Sequence, residues 1–127
     1  MENGGVPRAS VLVVENDEVT REALALLLED QGYEVQKAEN GAQALELLRD
    51  RRPEVILLDL HMPVLSGWDF LALRKKDTAL AAIPVIIASV AEDDPAPLGA
   101  QGSVRKPYEF DELLRILSRY DSRAAAS

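Results

Sequence analysis

Apolar residues along this chain recur in two different periods that take turns. Short runs with no internal alternation, Val11-Leu12-Val13-Val14, Val55-Ile56-Leu57-Leu58 and Pro84-Val85-Ile86-Ile87-Ala88, read as strands buried on both faces. Between them the apolar positions fall three and four apart, the repeat of a helix with one buried face. Switching between the two periods is the mark of strand-helix-strand units around a parallel sheet.

Local signals set the element boundaries. Asp17 can cap a first helix in which Val19, Ala23, Leu24, Leu27 and Leu28 share a face, ending at Gly32. Tyr33 to Ala38 predicts a second strand. Asn40-Gly41 opens a helix through Ala44, Leu45, Leu47 and Leu48; Arg49, Arg51 and Arg52 suit the negative end of its dipole, and Pro53 stops it. A third helix is predicted from Trp68 to Lys76 after Gly67, and a buried strand over Ile83 to Ala88. A short strand around Val104 and a terminal helix from Phe110 to Tyr120, with Leu113, Leu114 and Leu117 on its apolar side, complete the set.

A length of 127 residues supports one core and not two. The expected layout is a tail over 1–9, a domain over 10–121 and a second tail over 122–127. Twenty-two acidic against fourteen basic residues give a net charge of −8, and no basic run is long enough to track phosphates. Direct nucleic-acid binding and attachment to an anionic membrane are therefore disfavoured. With no cysteine, disulfides and thiolate chemistry are excluded, and a single histidine, His61, excludes a multi-histidine metal site. The start of the chain has no basic-then-apolar signal, and no apolar run approaches about 18 residues, so a cytoplasmic location is expected.

Each strand stops at a polar residue that carries chemistry. Val14 precedes Glu15-Asn16-Asp17, Leu58 precedes Asp59, Ala88 precedes Ser89, and Val104-Arg105 precedes Lys106-Pro107. In a parallel sheet these carboxyl ends share one edge, where open α/β folds bind ligands. Carboxylate, hydroxyl and ammonium groups then converge.

In this order, together with Met62-Pro63 and Gly67 after Asp59, these landmarks make the chain similar to the receiver domain of bacterial two-component response regulators over about residues 10 to 121. The resemblance implies a flavodoxin-like, doubly wound five-stranded parallel sheet of order 2-1-3-4-5 with about five helices. It also implies a signalling role in which a histidine kinase or histidine phosphotransfer protein donates a phosphoryl group to Asp59, with no enzymatic turnover beyond loss of that group. Lys106 then matches the lysine that contacts the incoming phosphoryl oxygens, Ser89 matches the hydroxyl position, and the Lys106-Pro107 bond is expected to be cis. Output is expected through an unidentified downstream protein.

The chain departs from the family pattern at several positions. Receivers place two acids after the first strand, the second binding Mg²⁺ directly; here the pair is Glu15 and Asn16. An amide oxygen is a weaker ligand for a hard cation than a carboxylate, so weak Mg²⁺ binding is expected from Asp59, Asn16, the backbone carbonyl of His61 and waters held by Glu15. Asp17 is assigned to the helix cap in preference to the metal. The interval from Ser89 to Lys106 is also shorter than in the family by about five residues, more than one helical turn of ~3.6. Pro95 and Pro97 fall where a fourth helix belongs, and Ser103 stands at the aromatic switch position. The fourth helix is expected to be short or absent, and Ala91 to Leu98 to form a mobile output segment.

His61 and Ala91 occupy the two positions that flank the path of attacking water in receivers. His61 either orders or blocks that water, or is a solvated loop histidine. A phosphorylation-independent binding module is the alternative, motivated by Asn16, Ser103 and the short interval. A phosphatase or flavin-binding protein on a similar fold is a third reading. It suits the residues less well, because His61 stands where a phosphatase needs a second aspartate and Glu15-Asn16-Asp17 would repel a flavin phosphate.

Overall fold

The computed structural model describes residues 9–90 and 99–120. Five strands, β1 (Ser10–Val14), β2 (Glu34–Ala38), β3 (Val55–Asp59), β4 (Val85–Ser89) and β5 (Gly102–Arg105), form one parallel sheet of order β2-β1-β3-β4-β5. Helices α1 (Glu18–Asp30), α2 (Gly41–Asp50), α3 (Gly67–Lys75), α4 (Thr78–Ala81) and α5 (Phe110–Ser118) cover it.

Period-two alternation in doubly buried strands divides the core into two layers. Leu12, Val14, Ile56, Leu58, Val85 and Ile87 point to one face, against Ala44 and Leu48 of α2, Phe70 and Leu71 of α3 and Leu80 of α4. Val11, Val13, Val55, Leu57, Ile86 and Val104 point to the other, against Leu24 and Leu28 of α1 and Leu113 and Leu117 of α5. The chain leaves β1 in one direction through α1 and later proceeds from β3 to β4 in the other. Crossovers of one hand then place the helices on opposite faces and open a crevice between the ends of β1 and β3.

The strands and long helices lie within two residues of their expected bounds. Ser66 caps α3 by accepting a hydrogen bond from the Asp69 amide at 3.2 Å, which starts that helix at Gly67. The fourth strand begins two residues later than expected. Ile83 uses its amide to close the turn after α4 and its carbonyl to accept from Arg74, so it stays out of the ladder. The last turn of α5 tightens into i to i−3 bonds at Arg119 and Tyr120, ending the helix at Ser118. Helix α4 was not expected: it is four residues long, too short for a period, and is held by Asp77 accepting from the Ala79 and Leu80 amides. The expected loss of the helix between the fourth and fifth strands, the output segment and Ala91 fall on 91–98, outside the described residues.

Helix α1 departs from the expected burial. Leu24, Ala25 and Leu28 are buried, whereas Val19 is 78% and Leu27 45% exposed. The spacing put Val19 and Leu27 on the side of Leu24 and Leu28, but only Leu24 and Leu28 of that stripe pack into the core layer.

Arg74 has a structural role that no sequence signal announced. Its side chain is 3% exposed, and Nη2 donates to the carbonyls of Ala81 at 3.1 Å and Ile83 at 2.7 Å and to Gln101 Oε1 at 3.2 Å. Gln101 Oε1 also accepts from the Val85 amide at 2.8 Å, so one guanidinium joins α3, the entry to β4 and the entry to β5. Packing around it pushes the Arg74 pKa below its ordinary value. Arg74→Met leaves the Ile83 carbonyl and the Gln101 amide short of donors and is expected to destabilise the chain by about 2–3 kcal/mol. Urea denaturation checks this, and a cost below about 0.5 kcal/mol would show the tether to be dispensable.

Candidate functional site

Lys106 lies between two buried carboxylates. Its Nζ is 3.2 Å from Asp59 Oδ1 and 3.5 Å from Glu15 Oε1, while Asp59 and Glu15 are only 6% and 7% exposed. Sheet register explains the meeting. Val14 pairs with Leu58, so the next residues, Glu15 and Asp59, emerge side by side; Asp59 pairs with Ala88, and Ser89 with Arg105. The Lys106 amide donates to the Ser89 carbonyl at 2.6 Å, which extends the β4–β5 pairing by one residue. The Lys106-Pro107 peptide is cis, as expected.

Each remaining predicted residue has a definite place. Ser89 is 2% exposed at the end of β4. Asn16 is exposed just beyond Glu15, with Arg21 Nη1 donating to its carbonyl at 3.4 Å and to the Glu15 carbonyl at 2.9 Å. The His61 amide lies 3.4 Å from Asp59 Oδ1, which puts the backbone of residue 61 beside that carboxylate. Asp17 caps α1, its Oδ2 accepting from the Thr20 amide and hydroxyl at 2.9 and 2.7 Å. Those bonds hold its carboxyl below the ordinary carboxylate range. Asp17 is thus committed to the helix, and its own amide donates to Glu15 Oε2 at 2.9 Å, fixing the Glu15 side chain.

Arg21 is a site residue the sequence reading missed. It sits on the first turn of α1, four residues beyond the cap, where a long side chain reaches back over the β1–α1 turn. That offset was the available signal.

The loop between β3 and α3 is closed by backbone contacts. Gly67 N donates to Leu60 O at 3.0 Å, Leu65 N to Pro63 O at 2.7 Å, and Gly41 N at the start of α2 to Leu65 O at 3.0 Å. Val64 adopts φ 68, unusual for a β-branched residue, at the tip of this turn.

The carboxylates of Glu15, Asp17 and Asp59 outnumber the cations Lys106 and Arg21, which leaves the crevice electronegative. The Tyr108 hydroxyl registers that field: its pKa is pushed up to about 12, by burial first and then by Glu15 and Asp59. Such a crevice suits a divalent cation. Among the described residues, however, no group of three or more His, Cys, Asp or Glu side chains could hold a metal. Magnesium takes one or two carboxylates and keeps several waters, so a single acid such as Asp59 with neutral oxygens of the kind Asn16 and the His61 backbone carry suits it in donor chemistry, with less charge than two acids would give.

An apolar groove of about 670 Å³ adjoins the site, lined among others by Val19, Ala23, Leu27, Tyr108 and Phe110, and also by Lys106. Its floor includes the part of the α1 stripe that the sheet leaves uncovered. Among the described residues no helix is long and apolar enough to cross a membrane.

Comparison with known proteins gives a consistent family. Protein PilH of Pseudomonas aeruginosa is 32% identical over 115 residues, spanning 87% of this chain and 95% of that protein. The polar-differentiation response regulator DivK of Brucella anthropi is 31% identical over 116 residues, spanning 87% and 94%. Among solved structures, the signal receiver domain of a signal transduction histidine kinase from Syntrophus aciditrophicus superposes with a TM-score of 0.85 at 27% identity, covering 94% of each chain. The chemotaxis response regulator CheY4 of Vibrio cholerae gives 0.79 at 30% identity, covering 88% of this chain and 98% of that one. The family model for the response regulator receiver domain matches residues 11–118, and with the crevice at the ends of β1 and β3 this places the chain in the response regulator receiver family.

Proposed function

We propose that this chain is a two-component signalling receiver whose phosphoacceptor is Asp59. The observation that carries the assignment is the 3.2 Å contact between Lys106 Nζ and Asp59 in a buried, electronegative crevice. A carboxylate oxygen of Asp59 attacks the phosphorus of a phosphohistidine as the P–N bond breaks; the departing imidazole keeps the bonding electron pair. The protein's task is to position the nucleophile and to balance charge spread over the phosphoryl oxygens. Lys106 supplies a positive charge that does not have to be recruited, and Ser89, at the same edge, offers a hydroxyl donor. When bound, Mg²⁺ would neutralise further phosphoryl charge, held by Asp59, Asn16 and the His61 carbonyl, with Glu15 acting through water.

A receiver works with a histidine kinase or a phosphotransfer protein. The groove between α1 and the start of α5 is our candidate for where the donor's histidine-bearing helix rests, because Lys106 belongs both to it and to the site. The chain is read as a phosphoacceptor, with no turnover besides losing its phosphoryl group. Output passes to a downstream protein and not to nucleic acid, in keeping with the net charge of −8. The phosphorylation-independent reading is less favoured, because a passive binding module would not require two carboxylates to be buried together at the end of the sheet, where, among the described residues, only Lys106 offsets their charge at contact distance.

Restoring a carboxylate tests the metal assignment. Asn16→Asp is expected to lower the Mg²⁺ concentration for half-saturation by about tenfold, from one added charge-charge contact. Titration calorimetry measures it, and equal affinities would remove Asn16 from the ligand set. Labelling by a small-molecule phosphodonor with and without Mg²⁺ tests the function itself, expected to succeed only with the ion.

A further inference from the structure

Three successive carbonyls at the β1–α1 turn face one residue. Arg21 Nη1 donates to the Glu15 carbonyl at 2.9 Å and lies 3.4 Å from that of Asn16, and the Arg21 amide donates to the Asp17 carbonyl at 2.8 Å. The first two lie past the end of β1 at Val14 and ahead of the helix cap at Asp17, so neither the ladder nor the helix supplies them with a donor. The Arg21 side chain is only 14% exposed, and its nearest acid, Glu22, stands 3.8 Å from Nε. The guanidinium is directed chiefly at backbone.

What this turn carries is Glu15. Its amide donates to the Ala38 carbonyl at 3.0 Å and its Oε2 accepts from the Asp17 amide at 2.9 Å, while Oε1 faces Lys106 Nζ at 3.5 Å. Asp59 Oδ1 is 3.2 Å from the same nitrogen, so the two carboxylates share one ammonium. With Glu15 displaced, the positive charge would settle wholly on Asp59, and that tighter pair would screen the carboxylate oxygen from an incoming phosphorus.

We infer that Arg21 is a positioning residue: by fixing the Glu15 and Asn16 carbonyls it holds the Glu15 carboxylate where it shares Lys106 with Asp59, and so keeps the nucleophile open. The inference rests on the phosphoacceptor reading of Asp59. In the step concerned, an Asp59 carboxylate oxygen bonds to phosphorus as the bond from phosphorus to the donor's nitrogen breaks, and the nitrogen leaves with the electron pair. Loosening of the turn without the guanidinium is partial, because the Glu15 amide keeps its bond to Ala38. The expected loss of rate is about tenfold, below the roughly hundredfold that a displacement of about 1 Å can cost. A single nitrogen, Nη1, makes both side-chain contacts, so a lysine ammonium can replace part of them.

The experiment labels the intact chain with phosphoramidate at saturating Mg²⁺ and follows the gain of one phosphoryl group by intact mass, ammonia being the other product. Wild type, Arg21→Lys, Arg21→Met, Glu15→Ala and the Arg21→Met/Glu15→Ala double variant are compared, with thermal melts showing that each is folded at the assay temperature. Arg21→Met is expected to label about tenfold more slowly than wild type, Arg21→Lys to recover part of the rate, and the double variant to match Glu15→Ala, itself slower than wild type. Wild-type labelling in Arg21→Met beside a lowered melting temperature would show a purely structural role and overturn the inference. So would no recovery at all in Arg21→Lys, or an equal further loss in the Glu15→Ala background, since the effect would then bypass the carboxylate. A wild-type chain that takes no label would overturn the phosphoacceptor reading and this inference together, whereas a labelled wild type with uncoupled variants overturns this inference alone.

Discussion

Lys106→Met is expected to cost the folded chain about 3 kcal/mol and to slow labelling of Asp59 by about a hundredfold or more. The ammonium stands within 3.5 Å of two carboxylates whose side chains are 7% and 9% exposed, and methionine keeps the stem while deleting the charge. Two buried anions then face each other with only backbone amides, and no ammonium, beside them. Because the Lys106 side chain is itself 28% exposed, solvent softens the loss and the low end of the range for broken buried pairs applies. Mg²⁺ should restore part of the stability, since it binds the folded state and supplies the missing charge. Denaturation with and without the ion, paired with labelling rates, reads both effects. Wild-type stability in Lys106→Met would mean that the carboxylates are adequately solvated and that charge balance is not what shapes the crevice.

Gly67→Ala is the second large effect, and it acts through the backbone. An added Cβ would sit 2.6 Å from the Asp59 carbonyl oxygen and 2.7 Å from Leu60 Cα, neither of which can turn aside as a flexible side chain could. Helix α3 must move away, and the 3.0 Å bond from Gly67 N to Leu60 O must lengthen. Overpacking of this kind costs about 1–3 kcal/mol. The catalytic consequence is expected to be larger, because the strain enters at Asp59 itself, and a misplacement of about 1 Å can cost on the order of a hundredfold. Labelling should fall by that order while the fold persists. Ser66→Ala, which removes only the side-chain cap of α3, serves as the control and should label normally. Normal labelling in Gly67→Ala would show that the loop absorbs the methyl group without shifting the acceptor.

Much of this arrangement was legible from residue patterns, for physical reasons. Val55 to Leu58 and Val85 to Ala88 lack alternation because both faces of a central parallel strand are covered, and each run ends at a polar residue, Asp59 or Ser89, because the crevice begins where the ladder stops. The order of the strands was not legible in that sense; it came with the family resemblance. Arg74 escaped notice because its partners are backbone carbonyls and a glutamine 27 positions away, which leave no local spacing to read. Helix α4 escaped because four residues cannot display a period. Val19 and Leu27 show a further limit: spacing tells which residues share a side of a helix, and tertiary packing decides which of them are covered.

Intact mass after incubation with a small-molecule phosphodonor tests the central claim most directly. The account predicts that wild-type chain gains the mass of one phosphoryl group in the presence of Mg²⁺, that little is gained without the ion, and that Asp59→Asn gains nothing under either condition. Label of equal extent on wild type and Asp59→Asn would contradict it, because the phosphoryl group would then reside on a residue other than the one Lys106 contacts.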